Sequence, residues 1–430
     1  MNSLPPTVIH PARNISGILR LPGDKSVSHR YAMLAAIAEG TTRLENFSTG
    51  ADCASTLGCV KALGVEVERS ENSIVIHGRG PQLRPPASPL DCGNSGSTMR
   101  MLSGILAGQS FSTELTGDES LSRRPMARII APLEMMGAQI TAQTGGRPPL
   151  RVTGGKLKAI RYDMPVASAQ VKSCLLFAGL FAAGETVVVE PIRTRDHSEL
   201  ALRAFGAQLK QAGNEIRIAG GQKLQAIEAV IPGDISSAAF FLCAAGLFRG
   251  SRLVIENLLV NPTRARLLDI LLVMGIGISV TQLEEQHGEL RGSVTVKGRD
   301  LRGITIAGAD AAALIDEIPV LAAIAPYTTD GVEIRDAREL RVKESDRIAA
   351  IAANLRAMGA QVEEREDGLK IPGSQTLRGA DVDSLGDHRI AMAFAVAALR
   401  AEGETRIRGA EAAVISYPEF FDALERVVER

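Results

Sequence analysis

Six short polar turns hold most of the residues able to do chemistry: Gly23-Asp24-Lys25-Ser26, Gly93-Asn94-Ser95-Gly96, Ser168-Ala169-Gln170, Gly233-Asp234-Ile235-Ser236, Asp316-Glu317-Ile318-Pro319 and Gly386-Asp387-His388. Around them stand Lys25, Arg30, Arg100, Arg123, Arg124, Lys172, Arg195, Lys343, Arg347 and Arg389. Each turn precedes an Ala-rich apolar segment of helical length. It therefore marks a helix N-terminus, whose free N–H groups and dipole favour anions. One such cation alone is an ordinary surface charge. Their recurrence beside the most apolar segments points instead to a site for several phosphates or carboxylates.

Gly23 to Arg30 places a Lys, two hydroxyls and an Arg within one and a half helical turns. Lys25 suits a phosphate point charge or a proton carrier, and Arg30 a bidentate clamp. Alone, the stretch is equally a capped helix start, and it lacks the GxxxxGK[ST] spacing of a nucleotide P-loop. In Val342-Lys343-Glu344-Ser345-Asp346-Arg347 the spacing predicts Lys343 and Arg347 on one helix face with Glu344 beside them, where an ion-paired surface helix is the plainer account. Asp316-Glu317 is either a helix cap or an acid–base site. Gly386-Asp387-His388-Arg389 is either a capped turn with one exposed His or an orienting carboxylate, a proton-transfer imidazole and a clamp. No Ser-His-Asp order, nucleophilic Cys signature or GxGxxG after a strand is present. General acid–base and electrostatic chemistry on an anionic substrate is what remains.

The elements that must position these residues recur. The turns begin at 23, 93, 168, 233, 316 and 386. Helix ends marked by an apolar residue and Gly follow them, at Leu63-Gly64, Met136-Gly137, Phe205-Gly206, Met274-Gly275 and Met358-Gly359. The pattern predicts six βαβαββ units, each with a first helix apolar nearly all round and therefore buried, and a more charged second helix at the periphery. Leu175 to Ala183 and Ala238 to Phe248 are buried helices on this view, too short to span a bilayer. The sixth unit reaches Arg430 without closing strands, and residues 1–20, strand-like at Val8 to His10 and Gly17 to Arg20, are expected to supply that pair. Two domains follow: 1–20 with 234–430, and 21–233, each of three units.

Composition narrows the classes of function. Lys+Arg 48 against Asp+Glu 49 leaves a formal charge of −1, which argues against a nucleic-acid or membrane partner, and 3% aromatics with no Trp argue against base stacking. Cys53, Cys59, Cys92, Cys174 and Cys243 form no CxxC pair and are expected to be buried thiols in a reducing compartment. No metal or other cofactor is implied. Nothing in the first residues resembles an export signal, so a cytoplasmic protein is expected.

Together, Leu21 to Arg30, Gly93 to Arg100, Arg124-Pro125-Met126, Arg341 to Arg347 and Asp387-His388-Arg389 closely resemble the 5-enolpyruvylshikimate-3-phosphate (EPSP) synthase family, over essentially all 430 residues. Ser168 to Lys172, Arg195 to Glu199 and Asn261-Pro262-Thr263-Arg264, with Gly23 to Ser26, resemble its class II branch. The resemblance implies a two-domain inside-out α/β barrel built around buried parallel helices, three units per domain. It implies transfer of the enolpyruvyl group of phosphoenolpyruvate to the 5-hydroxyl of shikimate 3-phosphate, by a monomer. On this basis Lys25, Ser26, Arg30, Ser168, Gln170, Arg195, Asp316 and Lys343 would hold shikimate 3-phosphate, and Lys25, Gly96, Arg124, Gln170, Arg347 and Arg389 would hold phosphoenolpyruvate. Asp316 would be the base, with Glu344, Lys25 and His388 as candidates for proton transfer at the methylene. Glu339 and Val414 to Tyr417 depart from the class I pattern, so two contacts of that class do not carry over. The resemblance also makes the chain a target of the herbicide glyphosate. Class II marks imply tolerance, whereas Gly96 lacks the methyl found in some tolerant members and implies sensitivity. The related UDP-N-acetylglucosamine enolpyruvyl transferases carry a Cys on the loop before their Arg-Pro, and Asp118 to Pro125 has none. A catalytically inert anion-binding scaffold is the other alternative.

Overall fold

The computed structural model describes residues 5–70 and 73–430. The chain divides into two compact units. One comprises residues through Pro22, Pro232–Glu285 and Leu290–Arg430, and the other, inserted into it, comprises Gly23–Ile231 with Gln286–Glu289. The crossings thus fall at 22/23 and 231/232, and the turn at 286–289 groups with the inserted unit rather than with the strands on either side of it.

Inner and outer helices alternate along both units. In the inserted unit they are α1 (Lys25–Ile37), α2 (Ala51–Ala62), α3 (Gly96–Ala107), α4 (Ala127–Met135), α5 (Ala169–Gly179) and α6 (His197–Ala204). In the discontinuous unit they are α7 (Ile235–Gly246), α8 (Arg266–Val273), α9 (Ile318–Ile324), α10 (Arg347–Ala357), α11 (His388–Ala398) and α12 (Phe420–Glu425). The odd-numbered helices fill the cores, and every residue of α7 and α11 is buried. Their Ala, Ser and Gly content permits close approach: a Cβ on Gly104 of α3 would lie 2.1 Å from the Cys174 carbonyl oxygen of α5.

Each even-numbered helix from α2 to α10 stops at a glycine with positive φ: Gly64, Gly137, Gly206, Gly275 and Gly359. At each, the glycine N–H and the next N–H fold back onto carbonyls of the last turn, as Gly64 N–H does to Lys61 and Val65 N–H to Val60. This satisfies carbonyls that would otherwise be orphaned.

Around the inner helices stand, among the described residues, three sheets in the discontinuous unit and, in the inserted unit, three larger sheets with a two-stranded one beside them. The second repeat shows the pattern: Leu90–Asp91 lies parallel to Ser112–Thr116, which pairs antiparallel with Arg147–Thr153, and Gln139–Gln143 closes the edge. The N-terminal strands behave differently from expectation. Thr7–Ile9 does pair with the sixth repeat, antiparallel to Thr405–Arg408, but Asn14–Arg20 runs parallel to Arg252–Leu259 and opens the fourth repeat. Its other edge takes Val428–Glu429. Likewise Glu228–Val230 runs parallel to Ala38–Glu45 and opens the first. The apolar run from Leu175 is helical only to Gly179, because Ala182–Ala183 leaves to pair with Leu157–Lys158. Among the described residues no helix is long and apolar enough to cross a membrane. All five cysteines are free and buried.

Candidate active site

In the inserted unit, Asp24 caps α1 by accepting from Val27 N–H at 2.9 Å, which fixes the turn that presents Lys25 and Ser26. Lys25 Nζ lies 2.9 Å from Asp52 Oδ2 on α2, both side chains largely buried. Arg30, one and a half turns on, is buried and donates to Ser26 O at 2.8 Å, Ser198 Oγ at 2.6 Å and Ser173 Oγ at 2.8 Å. Its neighbour His29 is buried too. Burial, with Lys25 and Arg30 beside it, pushes the imidazole well below its usual pKa, so it is neutral.

A second group gathers at the starts of α3 and α5. Ser95 caps α3 and Ser168 caps α5, each hydroxyl accepting a backbone N–H of the first turn. Gln170 then bridges the two helices: Arg100 Nη1 donates to its Oε1 and its Nε2 donates to Ser97 Oγ, both at 2.8 Å. Arg124 donates to Asn94 Oδ1 at 2.8 Å and Ser120 Oγ at 3.0 Å. A Cβ on Gly96 would sit 2.7 Å from Arg100 Nη1 and 3.6 Å from Arg124 Nη1, so the glycine keeps space open between two guanidiniums. Arg195 lies close enough to Arg30 to oppose its charge, just before α6. Arg123 is instead exposed and ion-paired with Glu119.

Lys172 departs most from expectation. Its ammonium, predicted beside an anion site, is fully buried between Glu190 and Glu199. It faces the protein interior because it follows Gln170 by two positions on α5, on the opposite side of the helix.

The discontinuous unit has its own charged cluster. Asp316 Oδ1 lies 3.7 Å from Lys343 Nζ, 3.7 Å from Arg347 Nη1 and 4.0 Å from Arg389 Nε. Arg389 also donates to the Asp316 carbonyl at 2.7 Å. Arg347, 1% exposed, makes a two-point pair with Asp387 at 2.8 and 3.2 Å and reaches Glu344 Oε2 at 2.6 Å. Burial opposes its charge, but Asp387, Glu344 and Asp316 outweigh burial and hold the guanidinium above its usual range. Burial would likewise raise the Asp387 carboxyl, but Arg347 outweighs it and holds the group below the usual carboxylate range. Asp387 also caps α11, placing His388 and Arg389 on its first turn, and His388 is buried rather than exposed.

Lys343 and Arg347 do not share a helix face. Asp346 caps α10 through Ala349 N–H at 3.0 Å, so the helix begins at Arg347 and Lys343 lies in the turn before it. Glu317 is no side-chain cap either. Its carboxylate accepts from Ser236 on α7 and from Arg264, within a buried network behind Asp316.

Asp52 and Glu199 have roles here that the sequence did not suggest, and Asp387, read as a possible orienting carboxylate, is paired with Arg347. Asp387 carried a signal in its motif, whereas Asp52 sits 27 residues from Lys25 with none.

The EPSP synthase (3-phosphoshikimate 1-carboxyvinyltransferase) family model matches residues 9–424. A 3-phosphoshikimate 1-carboxyvinyltransferase from Koribacter versatilis is 62% identical over 98% of this chain and 99% of that protein, and one from Solibacter usitatus is 58% identical over the same shares. Among solved structures, EPSP synthase from Acinetobacter baumannii superposes with a TM-score of 0.87 at 44% identity, covering 98% of both chains. The enolpyruvyl transferase NikO from Streptomyces tendae shares the fold at 20% identity and a TM-score of 0.80, covering 99% of this chain and 98% of that one. The chain belongs to the EPSP synthase family.

Proposed function

We infer that the chain is an enolpyruvyl transferase that moves the enolpyruvyl group of phosphoenolpyruvate onto the 5-hydroxyl of shikimate 3-phosphate and releases phosphate. Family membership along nearly the whole chain carries this reading.

The residue roles are those the family resemblance implies, and the charge of the substrates is consistent with them. Two substrates bring two phosphates and two carboxylates, and at an effective dielectric near 20 each close ion pair is worth about 4 kcal/mol before desolvation. On the family resemblance, Lys25, Ser26, Arg30, Ser168, Gln170, Arg195, Asp316 and Lys343 bind shikimate 3-phosphate. Lys25, Gly96, Arg124 and Gln170, with Arg347 and Arg389, bind phosphoenolpyruvate. The alcohol oxygen bonds to the central carbon of phosphoenolpyruvate while its proton passes to a base and the methylene gains one. Loss of phosphate and of one methyl proton then restores the double bond.

Asp316 is assigned as the base, its carboxylate lying within 4.0 Å of Lys343, Arg347 and Arg389. Glu344, hydrogen-bonded to Arg347, suits the proton transfer at carbon, with Lys25 and His388 assisting. The chain acts as a monomer without a cofactor. Phosphate release from phosphoenolpyruvate that depends on shikimate 3-phosphate tests the assignment. Release that depends on UDP-N-acetylglucosamine instead would identify the related transferase, and no release with either would leave an inert anion-binding scaffold.

A further inference from the structure

Behind Arg30 lies a buried cluster whose charges do not balance by themselves. Lys172 Nζ is 2.8 Å from Glu199 Oε1 and 3.0 Å from Glu190 Oε2, with all three side chains at most 1% exposed. The other Glu190 oxygen accepts from the backbone and the hydroxyl of Thr194. The other Glu199 oxygen, Oε2, is buried with no hydrogen-bond donor among the described residues. With both carboxyls ionised the trio carries one excess negative charge, and burial accordingly pushes the Glu199 carboxyl above its usual range against the pull of Lys172.

Arg30 places a further positive charge beside this cluster, close enough for Glu199 to support it. Among the described residues its guanidinium bonds only to uncharged groups, Ser198, Ser173 and the Ser26 carbonyl. Ser198 precedes Glu199 on α6 and Ser173 follows Lys172 on α5, and the two hydroxyls are 2.5 Å apart. The same two helix turns therefore hold Arg30 in place and carry the buried charges. Burial lowers the Arg30 pKa to about 10, with Glu199 the strongest charge opposing that fall and Arg195 adding to it. Asp24 and Glu289 support the Arg30 charge more weakly than Glu199 does.

We propose that Glu199 is a positioning residue that tunes the anion affinity of Arg30, holding the guanidinium through the Ser198 turn while cancelling part of the field it presents to the substrate phosphate. This rests on the assignment of Arg30 to shikimate 3-phosphate.

Glu199→Gln tests the proposal. It keeps the acceptor for Lys172, leaves Lys172 paired with Glu190, and puts the amide nitrogen where Oε2 already has no partner. The dissociation constant of shikimate 3-phosphate, read by titration calorimetry on the full chain, is expected to fall about threefold to tenfold. KM for that substrate should fall in step, and kcat should fall as the phosphorylated product leaves more slowly. A role in packing alone predicts weaker or unchanged binding, and either result overturns the proposal. Glu199→Asp keeps the charge on a shorter side chain. Wild-type affinity there supports the charge account, and tightening there assigns the effect to shape and overturns it. Arg30→Met separates the two readings. It should weaken binding about tenfold or more and abolish the effect of Glu199→Gln in the double variant. Undiminished binding in Arg30→Met removes the site assignment itself, whereas weakened binding with no effect of Glu199→Gln on the wild type removes only the role of Glu199.

Discussion

Asp316 and Glu344 have different surroundings, and their variants should differ in stability while agreeing in activity. Asp316 is ringed by cations at 3.7–4.0 Å, whereas Glu344 takes a 2.6 Å hydrogen bond from buried Arg347. Asp316→Ala and Glu344→Ala are both expected to abolish turnover while leaving shikimate 3-phosphate binding within about tenfold, as proton-transfer roles require. Both changes remove a partner of the buried Arg347 guanidinium, but Glu344→Ala, which loses a 2.6 Å hydrogen bond rather than a 3.7 Å contact, should lower the melting temperature more. Steady-state rates and calorimetry on both variants check this, and wild-type turnover in either would remove that residue from the mechanism. At Gly96, an added methyl would meet Arg100 at 2.7 Å and approach Arg124. Gly96→Ala should therefore narrow the space between the guanidiniums and weaken glyphosate inhibition, with wild-type sensitivity greater than is typical of class II. The readout is the inhibition constant relative to KM for phosphoenolpyruvate, and a wild-type ratio already high and unmoved by the methyl would place tolerance elsewhere. His29 gives a pH signature. Unfolded, it takes a proton near pH 6.5, but folded it stays neutral to well below that. The unfolded state thus binds more protons below about pH 6.5, and stability falls as pH falls through that range. His29→Asn should flatten this slope in denaturant titrations between about pH 5 and 7, and an unchanged slope would count against it.

Two glycines of the helices make opposite demands, and alanine at each should report which. Gly359 ends α10 at φ +88 with nothing within 4 Å of the place an added methyl would occupy, so Gly359→Ala meets only backbone strain, about 1–2 kcal/mol. Gly104 is ordinary in φ, but its methyl would lie 2.1 Å from the Cys174 carbonyl, so Gly104→Ala must part α3 from α5. Its loss should exceed that of Gly359→Ala by about 1–3 kcal/mol, measured as the shift in denaturant midpoint, and equal losses would refute the close approach. Such local chemistry is why much of the architecture was legible. Asp24, Ser95, Ser168 and Asp387 cap the inner helices where the turns announced them, and five glycines end outer helices where the apolar-Gly pairs stood. Pairing across long sequence distances left no such mark. Nothing in Asn14 to Arg20 favours the fourth repeat over the sixth, because both offer a strand of suitable composition. Lys172 looked available because its partners lie 18 and 27 residues away. The Lys343–Arg347 spacing suggested a shared helix face because either Asp346 or an earlier residue could have begun the helix. The candidate site was thus legible as a set of residues, but not as a set of bonds.

The inserted unit keeps its sheets and apolar core within residues 23–231. Expressed alone, that segment should fold and unfold in one cooperative transition, weakened by loss of the buried bond between His197 and Glu289. A broad, non-cooperative melt would show that it depends on the rest of the chain. The remainder should fold once the gap is closed by a short linker, because Asp234 N–H donates to Pro22 O at 3.0 Å and the cut ends therefore lie side by side. The pairing of Asn14–Arg20 with Val428–Glu429 extends this logic to the chain ends. Asn14 stands opposite Glu429, Ser16 Oγ bonds to the Glu429 carboxylate, and Arg430 reaches the His10 carbonyl at 2.7 Å. Asn14–Arg20 and Val428–Glu429 are thus neighbours in one sheet. A circular permutant with the old ends joined by a flexible linker and new ends opened at the exposed Thr144-Gly145 turn would place Asn14–Arg20 downstream of the strand it now precedes, with every sheet partner kept.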